Sequence, residues 1–280
     1  MKGIFIGGMI KSGTSLVRRL IQSHEDVVSG LETYWFELFE NYKVAGQKRG
    51  AGLIDQTEIS DLSRLERLSV FYDIPLEKVL EIYRYEDTAI KFLQRFFGTV
   101  SDLHNKNAKI WVEKTPGNAL YTDQIAKEKH TYIHVIRHPA DVWYSCKRDS
   151  KFSSVSEFVD VYRGYQRPFD FIRDLNCKVI IYEQLIHRPH DVQTSLFEFL
   201  GLENYHENTT SLSDDGKELR LVEKVTNKQS KTLLRLEDPI DKNSIGTRNK
   251  LPACEKYQVE KELWEFIPEN LIKTYGRDVV

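Results

Sequence analysis

The sequence predicts an α/β fold: a P-loop-type parallel sheet flanked by helices, with a helical cap inserted over residues 34–108. Three observations predict it. Short apolar runs recur at 2–6, 27–28, 109–112, 131–136 and 178–181, most of them followed by a polar turn and a helical pattern. The first run enters a glycine-bearing loop at once. The stretch between the second and third runs shows helical periodicity and no strand.

Length and charge bound the functions open to the chain. At 280 residues it is read as a single domain with an inserted cap, long enough for a large core. Lys and Arg total 40 against 42 Asp and Glu. That balance argues against a nucleic-acid binder, which shows a basic excess. Cys146, Cys177 and Cys254 are odd in number and lack metal-type spacing, so they read as buried free thiols in a reducing compartment. No apolar run approaches a membrane span, and the N-terminus leads straight into a strand. A soluble, cytoplasmic protein is expected.

The first element is the strand Lys2-Gly3-Ile4-Phe5-Ile6, followed by Gly7-Gly8-Met9-Ile10-Lys11-Ser12-Gly13-Thr14-Ser15. Leu16, Val17, Leu20 and Ile21 then share one helical face. Strand, glycine loop and helix form a phosphate cradle. Glycines let the backbone amides turn inward, and a helix N-terminus adds donors and partial positive charge. Ser12, Thr14 and Ser15 supply hydroxyls and Lys11 a full charge. The loop nearly matches the Walker A pattern, but position 14 is Thr where that pattern has Lys. A cradle without a triphosphate or Mg²⁺ is expected, and a plain glycine turn is the alternative.

Val27–Thr33 reads as a short strand and turn that sets Glu32 at the mouth of the sheet. Glu32 there can take a proton from a hydroxyl, or simply favour a helix N-terminus before Tyr34-Trp35-Phe36. In the cap, Leu76, Val79, Leu80 and Tyr83 make one apolar face, and Ile90, Leu93, Phe96 and Phe97 another. A flexible break is expected at 48–52. The cap's many aromatics read as core rather than as a substrate cage, and His104 as a solvated side chain.

Lys109–Val112 is the next strand, ending in Glu113-Lys114-Thr115-Pro116 before a helix predicted over 117–128. Lys114 is either a ligand-facing cation at a strand end or a solvent-facing one. Thr131–Ile136 is the clearest strand and runs into Arg137-His138-Pro139-Ala140-Asp141, with Ser145 eight residues after Arg137. An Arg leaving a strand can fork two N–H donors onto a phosphate, or form a structural ion pair.

A helix is predicted over 154–174 with Phe158, Val161, Tyr162 and Tyr165 inward. Lys178–Ile181 is a strand, and Tyr182 opens a helix whose Val192, Leu196, Phe199 and Leu200 face the core before Gly201. Residues 203–243 are polar and read as a mobile segment with a helix near 217–227, part of a cofactor-covering stretch to 250. Helices at 255–265 and 268–275 close the sequence.

These motifs together resemble the sulfotransferases that use 3′-phosphoadenosine 5′-phosphosulfate (PAPS), nearest to the tyrosylprotein-type and bacterial enzymes. Lys11-Ser12-Gly13-Thr14-Ser15 resembles their 5′-phosphosulfate loop. Gly30-Leu31-Glu32-Thr33 is similar to the segment that carries the catalytic base. Lys114-Thr115-Pro116 resembles the segment whose Lys approaches the sulfuryl group. Arg137 to Ser145 resembles the 3′-phosphate-binding segment, with His138 where Asp is common and its cap or ion pair therefore in question. Tyr182 falls where a Tyr touches the nucleotide. Ser244-Ile245-Gly246-Thr247-Arg248 is similar to the loop that closes on the cofactor, although Arg248 follows the Gly by two residues instead of one. The cysteine bridge of the secreted tyrosylprotein enzymes has no counterpart here.

The resemblance implies in-line sulfuryl transfer from PAPS, releasing adenosine 3′,5′-bisphosphate (PAP), to a hydroxyl or amine of a small-molecule, lipid or carbohydrate acceptor. Glu32, Lys11 and Lys114 would be catalytic. Lys11, Ser12, Gly13, Thr14, Ser15, Arg137, Ser145, Tyr182, Ser244 and Arg248 would bind the cofactor, with no metal. A P-loop small-molecule kinase and a non-catalytic bisphosphate-binding module remain the alternatives.

Overall fold

The computed structural model describes residues 1–37, 62–82, 88–104, 107–166, 175–203 and 244–264. Strands β1 (Lys2–Gly7), β2 (Val27–Ser29), β3 (Ile110–Lys114), β4 (Thr131–Ile136) and β5 (Asn176–Ile181) form one sheet in the order β2-β3-β1-β4-β5. β2 runs parallel to β3, with Val27 opposite Ile110. β4 runs parallel to β5, with Thr131 opposite Asn176 and Ile136 opposite Ile181. Parallel neighbours need crossovers, and helices supply them. The described α-helices are α1 (Thr14–Gln22), α2 (Leu62–Phe71), α3 (Leu76–Ile82), α4 (Ala89–Leu103), α5 (Thr122–Lys127), α6 (Pro139–Arg148), α7 (Val155–Tyr165), α8 (Tyr182–His187), α9 (Pro189–Leu200) and α10 (Ala253–Leu263), the last three following β5.

Strand position in the sheet explains strand composition. β4 is buried at all six positions, as a strand covered on both faces must be. β5 ends the sheet, and its first four residues are exposed or half-buried.

The chain divides into two compact units. Among the described residues, the first comprises Met1–Ile4 and 22–114. Its core is aromatic. Phe97 stacks on Trp111 with ring centroids 5.3 Å apart, and Trp35 stacks on Phe92. Tyr72 meets Phe96 edge-on at 4.9 Å. Trp35, Phe36, Phe71, Tyr72, Phe92, Phe96 and Phe97 of the cap are buried and belong to this core, whereas Tyr34 is half-buried. Thr88 caps α4, its hydroxyl accepting from the Lys91 amide at 3.2 Å. His104 is exposed, yet its Nε2 bonds the Tyr72 carbonyl at 2.8 Å, so it is more than a solvated ring.

The second unit comprises Phe5–Ile21 and the described residues from 115 onward. Met9, Val142, Trp143, Phe158, Tyr162, Val259 and Leu263 pack together, joining the glycine loop to α6, α7 and α10.

Several elements differ from the sequence expectation. The predicted helix over 117–128 is a 3-10 turn, Pro116–Leu120, followed by the short α5. The break is tertiary: Asn118 Nδ2 donates to the Ile6 carbonyl at 3.0 Å, and the Pro116 carbonyl accepts the Gly8 amide at 3.1 Å. In α7 the buried face is Phe158, Val159 and Tyr162, and Val161 is 38% exposed. In α9 Gln193 and Phe197 are buried; Phe199 is half-exposed under the Lys178 ammonium, 5.4 Å from its ring centroid. In α3 Val79 and Ile82 are buried while Leu80 is half-buried. Cys146 is buried, but Cys177 is half-buried and Cys254 exposed. The break at 48–52, Tyr83, the end of the helix beyond 166, the polar stretch 204–243 with its helix near 217–227, and the helix at 268–275 lie outside the described residues.

Candidate active site

Within the second unit, one cluster gathers around the loop that follows β1. The backbone φ is +140° at Gly8, +68° at Lys11 and +101° at Gly13. Three left-handed residues in six curl the chain back on itself, and the Ser12 amide closes onto the Met9 carbonyl at 3.0 Å. Gly13 cannot be replaced freely: a Cβ there would run into the Tyr182 ring. Its carbonyl accepts the Leu16 and Val17 amides, which starts α1. Thr14 is buried at the first residue of α1, with the half-buried Ser15 beside it and no acidic side chain in that turn. The Ser12 hydroxyl is buried, at 1% residue exposure, and has no hydrogen-bond partner among the described residues.

Arg137 leaves β4 and binds this loop. Its Nη1 donates to the Lys11 carbonyl at 2.9 Å and its Nη2 to the Ser244 carbonyl at 2.5 Å. The guanidinium carbon lies 4.7 Å from the Tyr182 ring centroid. Tyr182 Oη is bonded to Ser244 Oγ at 2.8 Å. Arg137 is 6% exposed, and its Nε has no partner among the described residues. Loop, Arg137, Tyr182 and Ser244 are thus contiguous, and they present a buried hydroxyl and a buried guanidinium N–H. Both are donors, and the loop adds the amides of a helix N-terminus. That donor set fits a phosphate or sulfate group.

Lys11 pairs with Asp149 Oδ2 at 2.5 Å. Partial burial would raise the Asp149 carboxyl, but hydrogen bonds from Lys11 and Arg148 outweigh it and bring the group down to about 2.

Ser145 and Arg248 meet at a different residue, Asp141 of α6. Asp141 is fully buried. Its Oδ2 accepts from Arg248 Nη1 at 2.8 Å and from the Gly246 amide at 3.2 Å. Its Oδ1 accepts from the Arg248 amide at 2.6 Å and from Thr247 Oγ1 at 3.0 Å. Ser145 Oγ donates to the Asp141 carbonyl at 3.0 Å. Arg248 is therefore committed to an ion pair that fastens 246–248 onto α6.

His138 supplies the cap that its replacement of Asp puts in question. Its Nδ1 accepts the Ala140 amide at 3.3 Å, and its own amide donates to the buried Glu183 Oε1 at 2.8 Å. Burial, with the Arg248 charge nearby, lowers its pKa to about 3, so the ring is neutral and can accept.

The first unit carries the other cluster. Glu32 follows β2, and its carboxylate is held on both oxygens: Oε1 by the Lys114 ammonium and Oε2 by the Tyr34 hydroxyl. Lys114 is 4% exposed and Glu32 25%. The backbone on either side is pinned as well. Tyr72 Oη donates to the Leu31 carbonyl at 2.6 Å. The buried Glu113 accepts from the Thr33 amide at 3.2 Å and from its hydroxyl at 2.9 Å. Gly30 is required because a Cβ would enter the Tyr72 ring.

Glu32, Arg137, Tyr182 and the glycine-loop residues follow the C-terminal ends of strands, Lys114 is the last residue of β3, and Ser145 lies in α6 beyond β4. Those of the second unit fall into one group around Arg137 and one around Asp141; Glu32 and Lys114 are paired in the first. Sequence reasoning missed Asp149, Asp141, Glu183, Glu113 and Tyr34 as partners. Asp141, Glu113 and Tyr34 stood within quoted segments, but nothing in the sequence says which residues they bond to, and Asp149 and Glu183 carried no signal. Among the described residues no group of three or more His, Cys, Asp or Glu side chains is placed to hold a metal ion, and no helix is long and apolar enough to cross a membrane.

Residues 3–207 match the model of a sulfotransferase family. Among solved structures, the chain is similar to the sulfotransferase domain of the Synechococcus PCC 7002 olefin synthase, with TM-score 0.55 and 18% identity, covering 93% of each chain. It is similar too to the sulfotransferase domain from the curacin biosynthetic pathway, with TM-score 0.51 and 17% identity, covering 94% of this chain and 98% of that one. Both likenesses are of fold. No curated protein sequence matches the chain.

Proposed function

The chain belongs to the sulfotransferase family, and we propose that it moves a sulfuryl group from PAPS to a hydroxyl or amine of a small-molecule, lipid or carbohydrate acceptor in the cytoplasm. One observation carries the donor assignment. Arg137 is locked to the glycine loop through the Lys11 carbonyl, while its Nε and the Ser12 hydroxyl stay buried without partners among the described residues. Buried donors left unpaired are costly, and an anion bound there removes the cost.

When bound, PAPS supplies an activated sulfuryl group on a phosphosulfate anhydride. The amides and hydroxyls of Ser12, Gly13, Thr14 and Ser15 hold the 5′ end. Arg137, with Ser145 beyond it, holds the 3′-phosphate, Tyr182 and Ser244 frame the nucleotide, and Arg248 acts through Asp141 by fastening the loop after Ser244 onto α6. Glu32 accepts the proton from the acceptor as its oxygen bonds to sulfur. The bond to the 5′-phosphate breaks, and its electron pair leaves with PAP. Lys11 and Lys114 neutralise the charge that collects on the leaving phosphate. Two lysines supply the positive charge that a phosphoryl-transfer enzyme takes from Mg²⁺.

Calorimetric titration with PAP, against ATP plus Mg²⁺, tests the donor site. PAP binding without metal, weakened in Arg137→Ala, is expected. Binding of ATP with Mg²⁺ and not of PAP would replace this reading with a kinase. Glu32→Gln tests the base: turnover of a PAPS-dependent acceptor drops about 100- to 10,000-fold while PAP still binds.

A further inference from the structure

Glu32 is held on both carboxylate oxygens, and of the two partners named above Lys114 already has a role in the proposed reaction. The other is Tyr34, whose hydroxyl donates to Oε2. Its backbone is unusual: φ is +53°, a left-handed value that a side chain larger than Asn rarely takes. Such a conformation is strained and persists where the surroundings over-determine it. Here they do. Thr33 is fixed by Glu113 on one side, and the Trp35 amide donates to Thr33 Oγ1 at 3.2 Å on the other. Trp35 is buried in a stack with Phe92. With residues 33 and 35 fixed, the left-handed turn at 34 brings the phenol back over the residue two positions earlier.

We infer that Tyr34 is a positioning residue for proton transfer, holding Glu32 Oε2 opposite Lys114 so that the carboxylate keeps one orientation toward the acceptor. The inference rests on the reading of Glu32 as the base. A phenol O–H donated to a carboxylate favours the ionised form, which is the form able to take the acceptor's proton. In the transfer step the acceptor's O–H bond breaks and its proton passes to Glu32. Tyr34 keeps its own proton throughout. An ion pair alone leaves a carboxylate free to rotate about its last bond, because an ammonium is a point charge. A second donor on the other oxygen removes that freedom.

The test reads Glu32 itself. The protein is labelled with ¹³C at the glutamate carboxyls, the Glu32 signal is assigned by its loss in Glu32→Gln, and its titration is followed by NMR. Tyr34→Phe removes the donor and keeps the ring, so the Glu32 midpoint moves up. Replacing Tyr34 with 3-fluorotyrosine strengthens the donor, so the midpoint moves down. Opposite shifts in two nearly isosteric rings are not the signature of a packing role. An unchanged midpoint in both variants overturns the inference, whether or not the enzyme turns over. PAP titration of the same samples separates the two readings. Loss of PAP binding in the wild type removes the donor assignment and leaves the Tyr34–Glu32 shifts standing. Normal PAP binding with no shift removes only the role of Tyr34.

Discussion

The Arg137 guanidinium lies against the face of the Tyr182 ring, its carbon 4.7 Å from the centroid, while Nη1 holds the Lys11 carbonyl at 2.9 Å. One side chain thus joins the end of β4, the glycine loop and the start of α8. Only a planar fork can stack on a ring and donate in two in-plane directions at once. Arg137→Lys is expected to weaken PAP binding nearly as far as Arg137→Ala, by about 10- to 100-fold, the worth of a charged hydrogen-bond pair. Calorimetry on both variants checks it; recovery in the Lys variant would show that charge alone suffices.

Gly13 faces the same ring. Gly13→Ala puts a methyl into Tyr182 and imposes a side chain on φ +101°. PAP affinity is expected to fall by at least about 10-fold. Because Tyr182 itself frames the nucleotide, the double variant Gly13→Ala/Tyr182→Ala is compared with Tyr182→Ala alone: the clash is gone but the backbone strain stays, so Gly13→Ala still lowers affinity in that background, by less. No further loss there would place the whole effect in the ring contact.

Asp141 is fully buried and accepts four hydrogen bonds from residues 246–248. Asp141→Asn leaves the Arg248 charge without its counter-charge and turns an amide NH₂ toward other donors. A loss of about 3 kcal/mol in unfolding free energy is expected from urea titration. A change under about 0.5 kcal/mol, the size of an ordinary surface substitution, would mean that Arg248 finds another partner.

Two buried histidines make stability fall in acid. Burial lowers both His134 and His138 to about 3, from the ordinary histidine value of about 6.5. The unfolded chain therefore binds protons more readily than the folded one. Stability from these groups is fully present above about pH 6.5, declines as the pH falls toward 3, and levels off below that. His138→Asn keeps a helix-capping oxygen and removes one titration. Its unfolding free energy is expected to fall less steeply with acid than that of the wild type, read by chemical unfolding from pH 7.5 to pH 4. Parallel profiles would assign the acid sensitivity elsewhere.

Much of the fold is legible because parallel, doubly covered strands are written as continuous apolar runs. Ile4-Phe5-Ile6 and Tyr132-Ile133-His134-Val135-Ile136, short, rich in β-branched and aromatic residues and bounded by turns, read as such strands. The helix phases of α7 and α9 were less legible. Val161 and Phe199 are apolar and fit a helical stripe, but a stripe wider than the contact it meets leaves some of its members outside. The 3-10 turn at Pro116–Leu120 was hidden for a different reason. Its cause is a bond from Asn118 to Ile6, 112 residues away.

By itself, the sequence determined the sheet's strands, the glycine loop, and the types and order of Lys11, Glu32, Lys114, Arg137 and Tyr182. These follow from local rules: apolar period, glycine freedom at positive φ, and a polar residue at a strand's end. Tertiary structure alone decided the partners. That Lys11 pairs with Asp149, that Arg248 is bound to Asp141, and that Tyr34 folds back onto Glu32 depends on which backbone segments packing brings within hydrogen-bond reach. Hydrogen bonds and ion pairs act over a few ångströms, and sequence separation carries no information at that range until the chain is folded.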